Sequence, residues 1–143
     1  MGVMYDYFAA PSDELAAATI DDGPVSSPFR TVETKSLDPV VVMGQLEELL
    51  TGRPYDEVFE DPRCGDDLAI EDDGERLVLT VTDGLRDGLA EAGELTDVAV
   101  AWAQIEELNG SDPVVLAEIL RELQALAAEA VKNEERLYCW VCI

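Results

Sequence analysis

The sequence contains no histidine among its 143 residues. Histidine is the commonest metal ligand and a frequent general acid or base in enzymes. Its absence excludes Ser–His and Cys–His catalytic dyads, and it excludes zinc sites that combine cysteine with histidine. Catalysis by carboxylates alone, as in glycosidases, needs only a pair of acids. A small enzyme that uses carboxylate chemistry on a small-molecule substrate therefore stays open as an alternative.

Positive charge is also scarce, because nine lysines and arginines face 32 aspartates and glutamates, which leaves a net charge of −23. A chain of this charge repels nucleic acid and anionic membranes, so we expect neither as a partner. Adjacent acids such as Glu47-Glu48 indicate a solvated surface. Both a saline habitat and a GC-rich genome produce an acidic composition with few lysines. A basic protein is the partner that such a surface would attract.

Long apolar runs are missing, since none approaches the roughly 20 residues that a membrane-spanning helix needs. Residues 1–7 lack the basic flank and the apolar stretch of a signal peptide. We therefore expect a cytoplasmic protein. The hydrophobic fraction of 48% is that of an ordinary globular chain. The length suits one domain over residues 1–143 with a core of its own.

Cysteine is sparse, but two of the three cysteines, Cys139 and Cys142, have the C-x-x-C spacing of redox and zinc motifs. Aromatic and β-branched residues dominate 137–143 and favour a buried strand. Residues three apart in a strand point to opposite faces, which keeps the two thiols from sharing a metal or a disulfide. We predict that both are buried apolar side chains, and we expect no metal and no cofactor.

Hydrophobic periodicity predicts an α+β fold in one compact domain. A small mixed or antiparallel sheet would include strands at the two ends of the chain, over 3–9 and 137–143, and would pack against several helices. Residues 29–34 are predicted to form a brief edge strand. Residues 68–70 and 76–81 are predicted to form a hairpin, because the Asp73-Gly74 step suits a tight turn.

Start and stop signals predict the helices. Ser12 is a cap for a short helix that ends near residue 20, and Asp38-Pro39 and Asp112-Pro113 are typical helix starts. A further helix is predicted to run from 82 to about 92. Residues 98–102 fit a strand and a helix equally, 105–108 favour a helix, and 53–67 are predicted to be an irregular loop.

The order of these segments resembles that of the YfbM-like family of small bacterial proteins. The resemblance is carried by Met1-Gly2 before an aromatic first strand, Leu37-Asp38 before a helix that ends at Leu49-Leu50-Thr51-Gly52, a Leu79-Thr80 strand before a helix, and a long helix before a terminal strand. It implies an α+β fold, a bacterial cytosolic origin and no established activity. The chain departs from the family where a Leu-His pair is expected, because Leu46-Glu47 stands there.

Aromatic and basic residues meet in the segment 53–63, which we predict to be a partner-binding site. Arg53 and Arg63 lie at its ends, with Tyr55 and Phe59 between them. Tyrosine and arginine are enriched where protein partners dock. Alternatively, the two aromatic rings anchor the loop to the core while the arginines pair with nearby acids. Trp102 and its neighbouring helix are a second candidate surface.

No catalytic, phosphate-binding or dinucleotide motif occurs in the chain. The sequence therefore favours a non-catalytic interaction or binding module. An inhibitor of the immunity or antitoxin type, whose carboxylates meet a basic toxin, is one concrete form of this hypothesis. The oligomeric state stays open.

The charge excess predicts that salt stabilises the folded protein. Mutual repulsion among the acids should be screened as ionic strength rises, because the Debye length falls from about 10 Å at 0.1 M to about 3 Å at 1 M. We expect the midpoint of thermal unfolding to rise between dilute buffer and molar NaCl. A midpoint that does not change with salt would show that the acids are dispersed or compensated.

Overall fold

The computed structural model describes residues 3–143, so that Met1-Gly2 of the family resemblance lies outside the described residues. Five strands form one sheet, and their bounds are Met4–Ala10 (β1), Thr31–Lys35 (β2), Asp67–Glu71 (β3), Arg76–Thr80 (β4) and Arg136–Cys142 (β5). The order across the sheet is β2-β1-β5-β4-β3, and every neighbouring pair is antiparallel. The predicted α+β fold is confirmed, and of the two expected kinds of sheet, mixed or antiparallel, the structure has the antiparallel one.

Within residues 3–143, six α-helices accompany the sheet: Asp13–Ala17 (α1), Val41–Thr51 (α2), Tyr55–Phe59 (α3), Asp83–Glu91 (α4), Thr96–Trp102 (α5) and Pro113–Lys132 (α6). The larger core lies between one face of the sheet and α2, α4, α5 and α6. The other face is covered by α1 and the chain that follows it, around Phe8, Ile20 and Trp140. Within residues 3–143, no helix combines the length and the apolar character that crossing a membrane requires.

The alternation of β5 places its two thiols on opposite sides of the sheet. Cys139 is fully buried in the larger core with Leu137 and Val141, while Cys142 packs beside Trp140 on the other face. Both cysteines are free thiols. The strand prediction for this segment is confirmed, and the strand itself keeps the C-x-x-C pair apart. Burial is confirmed for Cys139 only, because Cys142 is half-buried.

The helix starts follow the predicted caps, with one difference. Ser12 Oγ accepts a hydrogen bond from Leu15 N at 3.2 Å, as a cap should. Asp38 Oδ1 accepts from Val40 N at 3.0 Å and from Val41 N at 2.6 Å. The helix α2 begins only at Val41, so the prediction that Pro39 is the first helical residue is wrong. The Asp38 carboxylate closes a turn over 39–40 before the helix begins.

In three further segments the structure either differs from the prediction or chooses between the alternatives that the sequence left open. Residues 53–67 were predicted to be irregular, which is wrong because they contain the helix α3. Residues 98–102 are helical within α5, since this conformation buries Ala99 and Trp102 together on one face. Residues 105–108 contain a single turn of 3-10 helix, Glu106–Leu108.

An aspartate in the sheet has a buried carboxylate with no hydrogen-bond partner among the described residues. Asp6 of β1 is 1% exposed and stands opposite Glu33 on one side and Trp140 on the other. Neither of its carboxylate oxygens has a hydrogen-bond partner among residues 3–143. Burial raises the pKa of Asp6 to about 6, and the nearby Glu33 carboxylate adds to this increase.

Replacing Asp6 with asparagine should stabilise the protein at neutral pH. The raised pKa means that the folded state holds the Asp6 proton more tightly than the unfolded chain does. The stabilisation from this proton is therefore full below the unfolded pKa of about 4 and is lost as pH rises through about 6. We expect Asp6→Asn to raise the free energy of unfolding by about 1–2 kcal/mol at about pH 7.

Chemical denaturation at about pH 7 and about pH 4 measures this effect, and the gain should nearly vanish at the lower pH. Glu33→Gln is the matched control, because it removes only the neighbouring charge and should give a smaller gain. An equal gain for Asp6→Asn at both pH values would contradict a titration of Asp6.

Candidate functional site

The short helix α3 displays the one mostly exposed aromatic ring within residues 3–143. The Phe59 ring is 59% exposed, whereas the other aromatic side chains are buried or partly buried. Three acids surround Phe59 in sequence, and all three are exposed: Asp56, Glu57 and Glu60. We call Asp56, Glu57, Phe59 and Glu60 the α3 surface.

Contacts with α2 decide which side of α3 faces outward. Val58 is buried, and the Tyr55 ring lies so close to Gly44 that a Cβ there would stand 2.7 Å from it. Tyr55 N also donates to Glu48 Oε2 at 3.1 Å. The centroids of the Tyr55 and Phe59 rings are 6.2 Å apart. Tyr55 therefore attaches the helix to α2 and leaves Phe59 exposed.

Arg53 connects α3 to the neighbouring parts of the fold. Its Nη1 lies 3.1 Å from Asp61 Oδ2 and 3.3 Å from Glu47 Oε2, and its Nη2 donates to the Glu57 carbonyl oxygen at 3.2 Å. The hydrogen bond to Asp61 contributes most to raising the pKa of Arg53 above its ordinary value. Arg53 thus joins α2, the last turn of α3 and the loop beyond, and its charge is used within the protein.

Glu47 is a buried acid that the sequence did not reveal. The adjacent pair Glu47-Glu48 indicates a solvated surface, but Glu47 is 1% exposed, and the prediction is wrong for this residue. Its Oε1 accepts a hydrogen bond from the Thr82 hydroxyl, and its Oε2 contacts Arg53. A Cβ at Gly84 would overlap the Glu47 carboxylate, which explains how α4 approaches it closely. The sequence feature that could have indicated a close approach to α4 is the pair of glycines in that helix.

The five residues that the sequence nominated for partner binding do not form one surface. Tyr55 and Phe59 are in contact, and Arg53 lies beside them as a brace. The Arg63 side chain is 17% exposed and binds Asp13 at 3.3 Å, away from the α3 surface.

Trp102 is fully buried in the larger core, where its indole N–H donates to the Val42 carbonyl oxygen at 3.2 Å. The indole therefore has no surface to offer a partner in this fold. Of the predicted residues, Phe59 is the one whose side chain is mostly exposed, and the α3 surface replaces the loop 53–63 as the candidate site.

The described residues near this site show neither a metal-binding arrangement nor an activated thiol. No group of three or more acids and cysteines within 3–143 is arranged to hold a metal ion. Burial is the main cause that raises the pKa of Cys64, with the Glu47 carboxylate adding to it. A raised pKa keeps this thiol protonated and weakly nucleophilic at neutral pH.

No protein-family model, curated protein or solved structure matches the chain. The resemblance to the YfbM-like family therefore stays a prediction. The arguments about function rest on the geometry of the site alone.

Removing the Arg53 side chain should destabilise the protein, because it leaves the buried Glu47 carboxylate without its cation. We expect Arg53→Ala to lower the free energy of unfolding by about 2 kcal/mol, at the low end for a buried pair since Arg53 is partly exposed. Urea denaturation measures this change. Adding Glu47→Gln should recover part of the loss.

Arg30→Ala is the matched control, because Arg30 and Glu129 form a pair whose side chains are 49% and 47% exposed. Removal of such a surface pair should change stability by no more than about 1 kcal/mol. Equal stability of Arg53→Ala and the parent would show that Arg53 does not compensate Glu47.

Proposed function

We propose that this protein is a non-catalytic interaction module that binds a basic protein through the α3 surface. The observation that carries the proposal is the exposed Phe59 ring on a short segment that also exposes three carboxylates. An aromatic anchor with charges of one sign nearby in sequence resembles the centre and the polar rim of protein interfaces. An inhibitor of the immunity or antitoxin type is one concrete form of such a module.

The distribution of arginines supports this proposal. Six arginines form salt bridges with the protein's own acids: Arg30, Arg53, Arg63, Arg76, Arg86 and Arg136. Arg53, the arginine nearest to α3 in sequence, contacts Glu47 and Asp61 rather than the side chains of the α3 surface. The carboxylates of Asp56, Glu57 and Glu60 are therefore left to attract an external cation.

The Phe59 ring and the exposed carboxylates of the α3 surface would have different roles in binding. Burying the Phe59 ring in a partner's pocket would contribute about 1.5–3 kcal/mol from its apolar area. The exposed carboxylates contribute mainly to the rate of encounter and to the rejection of acidic partners, because rim charges are well solvated. The same charges oppose binding to nucleic acid.

The proposal predicts that Phe59 is the main contact. A partner is captured from host-cell extract with the immobilised protein, identified, purified and titrated by calorimetry. We expect the captured partner to be basic, and we expect Phe59→Ala to lower its affinity by about 10- to 100-fold. The matched control is Ile70→Ala on β3, which removes a side chain of similar exposure at 53% and should bind like the parent.

The acidic rim is tested by the association rate. Glu57→Lys with Glu60→Lys should lower the rate constant and its dependence on salt, because steering by the rim is lost. The control pair is Glu118→Lys with Glu122→Lys on α6, which changes the net charge equally at two exposed positions. An acidic partner, or full binding by Phe59→Ala, would refute the α3 surface as the binding site.

A further inference from the structure

A cavity of about 570 Å³ lies outside the α3 surface. It opens where the start of α1, the start of β5, the helix α4 and the chain after α6 come together. The charged side chains that line it are Asp13, Glu14, Arg86, Glu134 and Arg136, and the polar side chains are Ser12 and Tyr138. Sites for small molecules are commonly about 300–1,000 Å³ in volume, so the space is sufficient for a small ligand.

The floor of the cavity is held by a network of three side chains. The Tyr138 hydroxyl donates to Asp13 Oδ1 at 2.6 Å, and Arg63 approaches the same carboxylate at 3.3 Å. The Arg63 guanidinium also stacks over the Tyr138 ring, 5.6 Å from its centroid. The hydrogen bond from Tyr138 is the main cause that lowers the pKa of Asp13, while burial, followed by Asp13, raises the pKa of Tyr138 to about 12. These groups therefore keep fixed protonation states near neutral pH.

Two arginines on the wall retain donors for a ligand. Arg86 Nε binds Asp87 at 2.9 Å. Its Nη1 donates to the Glu135 carbonyl oxygen at 3.0 Å and lies 3.7 Å from Asp83 Oδ1, while Nη2 makes no hydrogen bond within residues 3–143. Arg136 is 49% exposed, and its one salt bridge in the same range joins Nη2 to Asp83 at 3.4 Å. The wall can therefore bind an added carboxylate through nitrogens that are not already used.

Carboxylates at the rim supply the opposite charge. Glu14 and Glu134 are exposed, and neither forms a salt bridge with any residue of 3–143. A ligand with only negative charge would meet these acids and the field of a protein with net charge −23. A ligand with only positive charge would leave the arginine donors unused.

We infer that this cavity binds a small zwitterion of the amino acid or dipeptide class. The carboxylate of the ligand binds Arg136 and Arg86, and its ammonium group binds Glu14 and Glu134. A zwitterion has no net charge for the protein's field to repel, and it satisfies charges of both signs on the wall. This inference does not depend on the α3 surface, so the two proposals fail or succeed separately.

Calorimetric titration of the full chain at near-neutral pH tests the inference. One set of probes is the free α-amino acids with neutral side chains, and the other is the dipeptide Ala-Phe. Three blocked forms are the matched controls: acetyl-Ala-Phe, Ala-Phe-amide and acetyl-Ala-Phe-amide, which lack the ammonium, the carboxylate or both charges. We expect either a free amino acid or the dipeptide to bind, and loss of either charge to weaken binding at least about tenfold.

Variants assign the binding to the cavity. Arg136→Ala should weaken binding at least about tenfold, whereas Arg30→Ala, which removes an equally exposed arginine elsewhere, should bind like the parent. The double variant Glu14→Gln with Glu134→Gln removes the two exposed carboxylates. It should weaken the binding of the zwitterionic probe but should not change the binding of acetyl-Ala-Phe, which has no ammonium group. The inference is overturned if no probe binds, if the doubly blocked dipeptide binds as tightly as Ala-Phe, or if both sets of variants bind like the parent.

Discussion

The pairing of β1 with β5 is the contact on which the rest of the structure depends. Seven residue pairs join the strands, from Met4 opposite Cys142 to Ala10 opposite Arg136. These strands form the centre of the sheet, so their pairing separates the larger core from the smaller one. Closing such a long loop has an entropic cost that grows only slowly with length, and the apolar residues on both faces repay it. The same pairing brings Asp13, which follows β1, to Tyr138 of β5.

The acids of this chain are divided between a surface majority and a few buried groups. Glu47 is stabilised inside by the Thr82 hydroxyl and by Arg53, whereas Asp6 has no partner among the described residues. The two acids therefore affect the stability of the folded protein differently. Glu47 needs the nearby Arg53 cation, whereas the folded protein is more stable when Asp6 is protonated. Scarce arginines are used where an acid must be buried or where two elements must be joined. Within residues 3–143, the exposed carboxylates of α3 therefore form no salt bridge with a cation.

Sequence reasoning predicted the features that depend on local patterns. Alternation placed Cys139 and Cys142 on opposite faces, the Asp73-Gly74 step marked the hairpin, and Ser12 capped its helix. It failed for the short helix α3, because five residues have too little periodicity to be recognised. It also failed for Glu47, whose partner Thr82 lies 35 residues away in sequence. The sequence also could not predict the cavity lined by Asp13, because the contact of Asp13 with Arg63 joins residues that are 50 positions apart.

The two proposed sites follow from one constraint, which is how nine cations are placed among 32 acids. Around α3 the nearest arginine is directed to Glu47 and Asp61, and the helix carries exposed carboxylates as well as an exposed aromatic ring. At the cavity, Arg86 and Arg136 share Asp83, and nearby Glu14 and Glu134 form no salt bridge within residues 3–143. An acidic patch of this kind favours a partner with net positive charge, whereas a wall with both signs favours a ligand with no net charge. If both proposals hold, the placement of a few arginines gives two regions of the same acidic protein different selectivity.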